Sequence, residues 1–140
     1  MKDHVALLIR EENKFLFVKR SRKKKTLPNI WAFPSGTREE FEKIEDTARR
    51  EASEELGVEI DPEKIIAIKE LPEFNVKLHF LVSTIRSGTP IIKERNEIEE
   101  LAWFEFEEFF SKYPDEQIGH GLIFLRQNPE IWKGYGLNKI

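Results

Sequence analysis

The sequence predicts an α/β protein in which a mixed sheet is flanked by helices. Three observations carry that prediction. Short apolar runs rich in branched and aromatic residues recur along the chain, two of them close enough to form a hairpin, and one long stretch has the 3.6-residue period of an amphipathic helix. With 140 residues and no repeat, low-complexity tract or Gly/Ser linker, the chain is expected to form one domain over residues 1–140.

The first runs, "HVALLIR" and "KFLFVKR", are joined by "EEN" and read as two strands of a hairpin. A basic loop follows, "KRSRKKKTLPN". "IWAFPSG" then reads as a brief strand stopped by Pro34 and Gly36. "IEDTARREASEELG" is the clearest helix, with Asp46 or Thr47 as its cap and Gly57 where it should stop. "EKIIAIKEL", "VKLHFLVSTIR" and "ELAWFEF" are expected strands. "FEEFFSKY" reads as a short amphipathic helix and "IGHGLIFLRQNPEIW" as a longer one.

Composition excludes several classes. There is no cysteine, so no disulfide framework, thiolate metal site or Cys nucleophile is available. The formal charge of -3 is mild and argues against a nucleic-acid or membrane partner. No apolar run approaches the ~20 residues that span a bilayer, and the N-terminus lacks a signal-peptide pattern. A cytoplasmic protein is the expectation.

The helix poses a physical question. Successive residues turn by about 100°, so Glu51, Glu54 and Glu55 are neighbours on its surface. Ala48, Ala52 and Leu56 form a separate stripe suited to the core. Like charges at this spacing repel by a few tenths of a kcal/mol per exposed pair. Arg50 offsets part of this, and a hard divalent cation such as Mg²⁺, which prefers oxygen ligands, offsets it better. Spacing alone also fits a solvated charged face.

The longer pattern resembles the Nudix box, G-x5-E-x7-R-E-U-x-E-E-x-G-U with U aliphatic. Gly36, Glu42, Arg50, Glu51, Ala52, Glu54, Glu55, Gly57 and Val58 occupy its positions. Upstream, "WAFPSG" resembles the family's W-x-x-P-G-G entry, with Ser35 replacing a Gly. The likeness covers roughly residues 3 to 112. It implies an α/β/α sandwich with the box as loop-helix-loop. It also implies Mg²⁺- or Mn²⁺-dependent hydrolysis of a nucleoside diphosphate linked to another group. By position, the metal ligands are Gly36, through its carbonyl, and Glu51, Glu54 and Glu55. Arg50 orients Glu51, and Glu42 is structural or an outer ligand. Glu51 is the first choice of general base, with Glu97 and Glu99 in "KERNEIEELAW" as loop alternatives; solvent exposure also explains that loop.

The basic run is open to three readings: a solvated loop, a cationic rim for polyphosphate, or an RNA contact. Lys19 and Arg20 are the residues expected at the substrate, with the four cations after them solvated. Phe33, Phe74, His79, Phe80 and Trp103 are candidates for stacking on a base; His79 also reads as a structural histidine. The MutT-like downstream half favours a (d)NTP pyrophosphohydrolase that releases a nucleoside monophosphate and pyrophosphate, with oxidised nucleotides among its substrates. Pro72, 14 residues past the box where ADP-ribose enzymes carry a Pro at about 16, keeps a nucleotide-sugar pyrophosphatase open. A non-catalytic nucleotide- or RNA-binding module is the third alternative. Relatives are commonly homodimers.

Overall fold

The computed structural model describes residues 1–135. Among these residues seven strands form one mixed sheet: β1 (Lys2–Glu11), β2 (Lys14–Arg20), β3 (Trp31–Ala32), β4 (Ser35–Thr37), β5 (Glu59–Leu71), β6 (Val76–Ser87) and β7 (Ile98–Phe104). Three helices accompany it: α1 (Ile44–Leu56), α2 (Phe106–Lys112) and α3 (His120–Gln127).

The order β3-β2-β1-β6-β5 is antiparallel except for β1 and β6, which run parallel. The β1–β2 hairpin opens like a fork. Its strands pair at Arg10–Phe15 and Glu11–Lys14, then separate. The segment 31–37 is wedged between them, with β3 on β2 and β4 on β1. The wedge sets Gly36 opposite Val5 of β1.

Side chains alternate across the pleat, so each face of the sheet has its own core. Val5, Leu7 and Ile9 of β1 meet Ala48, Ala52 and Leu56 of α1 on one face. Ala6 and Leu8 pack with Phe17, Phe80, Phe109, Leu122 and Leu125 on the other, under α2 and α3. The result is the α/β/α sandwich that the sequence predicts. The alanine stripe is fully buried, as its spacing implies, and the small side chains let α1 lie close to the sheet.

Several boundaries differ from expectation. Helix α1 is capped at Lys43, not at Asp46 or Thr47; Asp46 sits at the third helical position and its carboxylate accepts the Lys43 N–H at 3.2 Å. Gly57 does end the helix, in a left-handed conformation (φ 70°) that costs glycine no Cβ clash. The strand expected from Glu63 starts at Glu59, because Pro62 lies at a register shift on an outer strand that need not donate there. "IWAFPSG" is two short strands, not one, and the strand expected from Glu100 starts at Ile98. The final helix is shorter than the pattern suggested. It ends at Gln127, and Pro129 opens a separate turn through Ile131.

Candidate active site

Helix α1 projects its acidic side toward Gly36 and the loop before β7. Arg50 organises this end of the molecule. Its guanidinium holds the Glu42 carboxylate in a fork, with Nε at 2.8 Å and Nη2 at 3.0 Å. It also donates to the Thr37 carbonyl at 3.0 Å, to Glu51 at 3.0 Å and to Glu54 at 3.4 Å. One side chain thus ties the loop after β4 to the helix and fixes the orientation of Glu51.

Glu42 is fully engaged. Besides Arg50 it accepts from Thr47 Oγ1 at 2.9 Å and from the Glu39 N–H at 2.9 Å. The Arg50 guanidinium, followed by the Glu39 N–H, holds the Glu42 carboxyl at about 2. Arg50 is correspondingly raised by its bond to Glu42.

Glu51 lies across the face of Gly36. A Cβ on residue 36 would fall 2.1 Å from Glu51 Cδ, so only glycine leaves room for this carboxylate. Glu55 lies beside it. Burial, the hydrogen bond to Glu51, and the nearby charges of Glu51, Glu94 and Glu97 push the Glu55 carboxyl up to about 9. Crowding and burial together thus disfavour negative charge on Glu55. Among the described residues no three acidic or imidazole groups already form a closed metal-ligand set. The carboxylates are nonetheless hard oxygen donors crowded against one another, and Glu51 rests in a cradle that a Cβ would fill. That donor set fits a hard divalent cation.

These groups line a polar cavity of about 570 Å³ with Gly36, Glu51, Glu55, Glu94 and Glu97 on its wall. Arg20, Phe33 and Ser35 border this cavity and also an adjoining apolar one of about 200 Å³. The apolar cavity is rimmed by Phe74 and His120, whose rings lie 4.8 Å apart, and floored by Ala6, Leu78 and Leu122. A site with a charged half and an apolar half can take a ligand built the same way.

The expected site residues separate on this geometry. Gly36, Arg50, Glu51, Glu55 and Glu97 surround the polar cavity. Glu54, 57% exposed, stands outside that wall and reaches it through Arg50. Arg20 lies between the two cavities, donating to the Thr26 and Leu27 carbonyls. Lys19 does not join them: on the strand, neighbours face opposite ways, and it lines a separate cleft with Glu100 and Tyr113. Phe74 is at the apolar rim. Phe33 is a core residue, 5% exposed and stacked 5.1 Å from Phe17, and it also borders both cavities. Phe80 is fully buried, Trp103 packs on the core beneath α1, and His79 is buried against Asp3 at 3.0 Å. Of the two loop candidates, Glu97 borders the cavity, while Glu99 is taken by Arg22 through its N–H and guanidinium.

Sequence reasoning missed Glu94, Lys24 and His120. Glu94 precedes Glu97 by three residues in the acidic loop already singled out, so spacing could have found it. His120 is brought in by the Trp31–Ile118 bridge and the Gly119 N–H bond to Trp31, which nothing local in the sequence announces.

The model of the NUDIX domain family matches residues 2–125. The chain belongs to the Nudix family. Nudix hydrolases act on pyrophosphate bonds of nucleotide-linked substrates. The chain is 30% identical over 123 residues to human NAD-capped RNA hydrolase NUDT12, covering 79% of this chain and 26% of that protein. It thus spans about a quarter of the length of that relative. It is 31% identical over 87 residues to the 8-oxo-dGTP diphosphatase of Buchnera aphidicola, covering 62% of this chain and 66% of that one. In fold it is similar to a Nudix hydrolase from Nitrosomonas europaea, with a TM-score of 0.73, 22% identity, and coverage of 99% and 95% of the two chains. Among the described residues no helix is long and apolar enough to cross a membrane.

Proposed function

We propose that this Nudix domain hydrolyses a phosphoric anhydride bond in a nucleoside diphosphate-linked compound, with a (d)NTP as substrate and a nucleoside monophosphate and pyrophosphate as products. The observation that carries this is the two-part site: crowded carboxylates in a polar cavity that opens, past Arg20 and Ser35, onto an apolar cavity fit for a base. Glu51, Glu54 and Glu55, with the Gly36 carbonyl, would hold Mg²⁺ or Mn²⁺. Bound there, the cation neutralises phosphate charge and makes water a better nucleophile. Arg50 holds Glu51 in place. Glu51 and Glu97 are the carboxylates able to accept a proton from the attacking water. Phe74 and His120 would flank the base.

The similarity to an 8-oxo-dGTP diphosphatase supports oxidised nucleotides as candidates. A second reading, ADP-ribose, is favoured by Pro72, which opens the turn (Pro72–Phe74) that sets Phe74 on the apolar rim.

The test is a panel of NTPs, dNTPs, 8-oxo-dGTP, ADP-ribose, NAD and NAD-capped RNA, each with Mg²⁺ and with Mn²⁺, and products resolved by chromatography. Monophosphate plus pyrophosphate from a triphosphate supports the proposal. AMP plus ribose 5-phosphate selects the second reading. No metal-dependent turnover of any compound refutes both and leaves a binding module.

A further inference from the structure

Four cations, Arg22, Lys23, Lys24 and Lys25, follow the substrate-facing end of β2, and three of them are exposed. Lys24 is the exception: its side chain is only 21% exposed, whereas that of Arg22 is 80% exposed. The backbone turns it inward. The buried Ser21 donates its N–H to the Glu97 carbonyl at 2.9 Å. Its own oxygens accept from the N–H groups of Lys23 and Lys24 at 3.1 and 3.2 Å. This compact turn places the Lys24 ammonium in the polar cavity, in contact with the Glu97 carboxylate.

The other cations at this cavity are committed or peripheral. Arg20 is bound to two loop carbonyls, and Arg50 holds Glu42, Glu51 and Thr37. Lys2 is exposed. Lys24 has three donors and, among the described residues, Glu97 as its one side-chain partner. An ammonium is a compact charge well suited to a phosphate oxygen. Its present partner is also a carboxylate proposed above to take a proton from water, and a carboxylate paired with a lysine is a poorer base.

We propose that Lys24 is a phosphate-binding residue of this site, stored on Glu97 in the free protein and transferred to a substrate phosphate on binding, which releases the Glu97 carboxylate. The inference rests on the hydrolase reading. It differs from a purely structural strap because it makes Glu97 a competitor of phosphate for Lys24.

The experiment is calorimetric titration of the whole chain with pyrophosphate at fixed saturating Mg²⁺. Lys24→Met is expected to weaken binding at least about tenfold, as loss of a charge-assisted hydrogen bond does. Lys24→Arg keeps the charge and should stay within about threefold of wild type. Glu97→Gln removes the competitor and should bind pyrophosphate as tightly as wild type or more so, while its nucleotide turnover falls. Wild-type affinity in Lys24→Met overturns the proposal. So does equal weakening in Lys24→Met and Glu97→Gln, which would mark the pair as a strap, and so does wild-type protein that fails to bind pyrophosphate. If wild type binds pyrophosphate in this pattern but turns over no nucleotide, the hydrolase reading fails and the role of Lys24 stands.

Discussion

Replacing Gly36 by alanine displaces Glu51 without touching its chemistry. An added Cβ lies 2.1 Å from Glu51 Cδ and 2.3 Å from both Cγ and Oε1. Carbon atoms sit best at about 3.5 Å or more, so the carboxyl must retreat by about 1.4 Å. The backbone itself accepts alanine, since residue 36 is in strand β4 outside the left-handed region. What must move is the far end of a flexible side chain. The costs are about 1 kcal/mol for an off-rotamer Glu51 and about 1.5 kcal/mol for its bond from Arg50. Against these stands about 0.5 kcal/mol gained on replacing a strand glycine. The net loss is about 2 kcal/mol, and the fold survives. Catalysis is far more sensitive: a displacement near 1 Å costs about 10²-fold. Thermal melts and kcat/KM on the substrate found by the nucleotide panel read the two effects separately. The double variant Gly36→Ala/Glu51→Gln should be no slower than Glu51→Gln alone, since both act through one carboxylate. Wild-type turnover in Gly36→Ala, or losses that multiply in the double variant, would refute the reasoning.

Three further outcomes are expected. Glu54→Gln should lose at least about 10²-fold in turnover yet melt within about 2 °C of wild type. It removes repulsion from Glu51 and Glu55 but also an exposed pair to Arg50, each worth a few tenths of a kcal/mol; a variant with full turnover would sink the ligand role. Glu42 titrates near 4.5 when unfolded and about 2 when folded, so its contribution to stability is present above pH 4.5 and disappears as pH falls toward 2. Acid unfolding of Glu42→Gln should therefore be shallower than that of wild type across this window, and identical acid profiles would contradict the assignment. Phe41 is 94% exposed with φ 70°, a left-handed conformation that costs a side chain about 1 kcal/mol. Phe41→Gly should raise Tm by about 3 °C, and a lower Tm would show that Phe41 makes a contact its exposure conceals.

Much of this was legible because the relevant signals are local. The alanine–leucine stripe follows from helical period alone and is buried where that period puts it, and the same period sets Glu51 and Glu55 side by side on the cavity wall, while Glu54 stands outside it. What was not legible depends on long-range pairing. The register of β2 against β7 sets Arg20 beside Ile98 and so brings the basic and acidic loops together. Read alone, each loop fitted a solvated face as well as a functional one; Lys24–Glu97 and Arg22–Glu99 show that they neutralise each other. Lys19 was misjudged for a related reason. Proximity to Arg20 in sequence is opposition in a strand, and the pleat sends it to another cleft. The cap of α1 was misplaced because Asp46 satisfies an N–H from inside the helix, a role that spacing does not distinguish from capping.

The central claim is that the carboxylates are crowded because a divalent cation belongs among them. Its most direct test is a Mn²⁺ titration of the metal-free protein, following loss of the free-ion EPR signal in wild type, Glu51→Gln and Glu54→Gln. Saturable binding by wild type that weakens at least about tenfold in both variants is the predicted result. Wild-type protein that leaves the Mn²⁺ signal unchanged at millimolar concentration, or variants that bind as tightly as wild type, would contradict it.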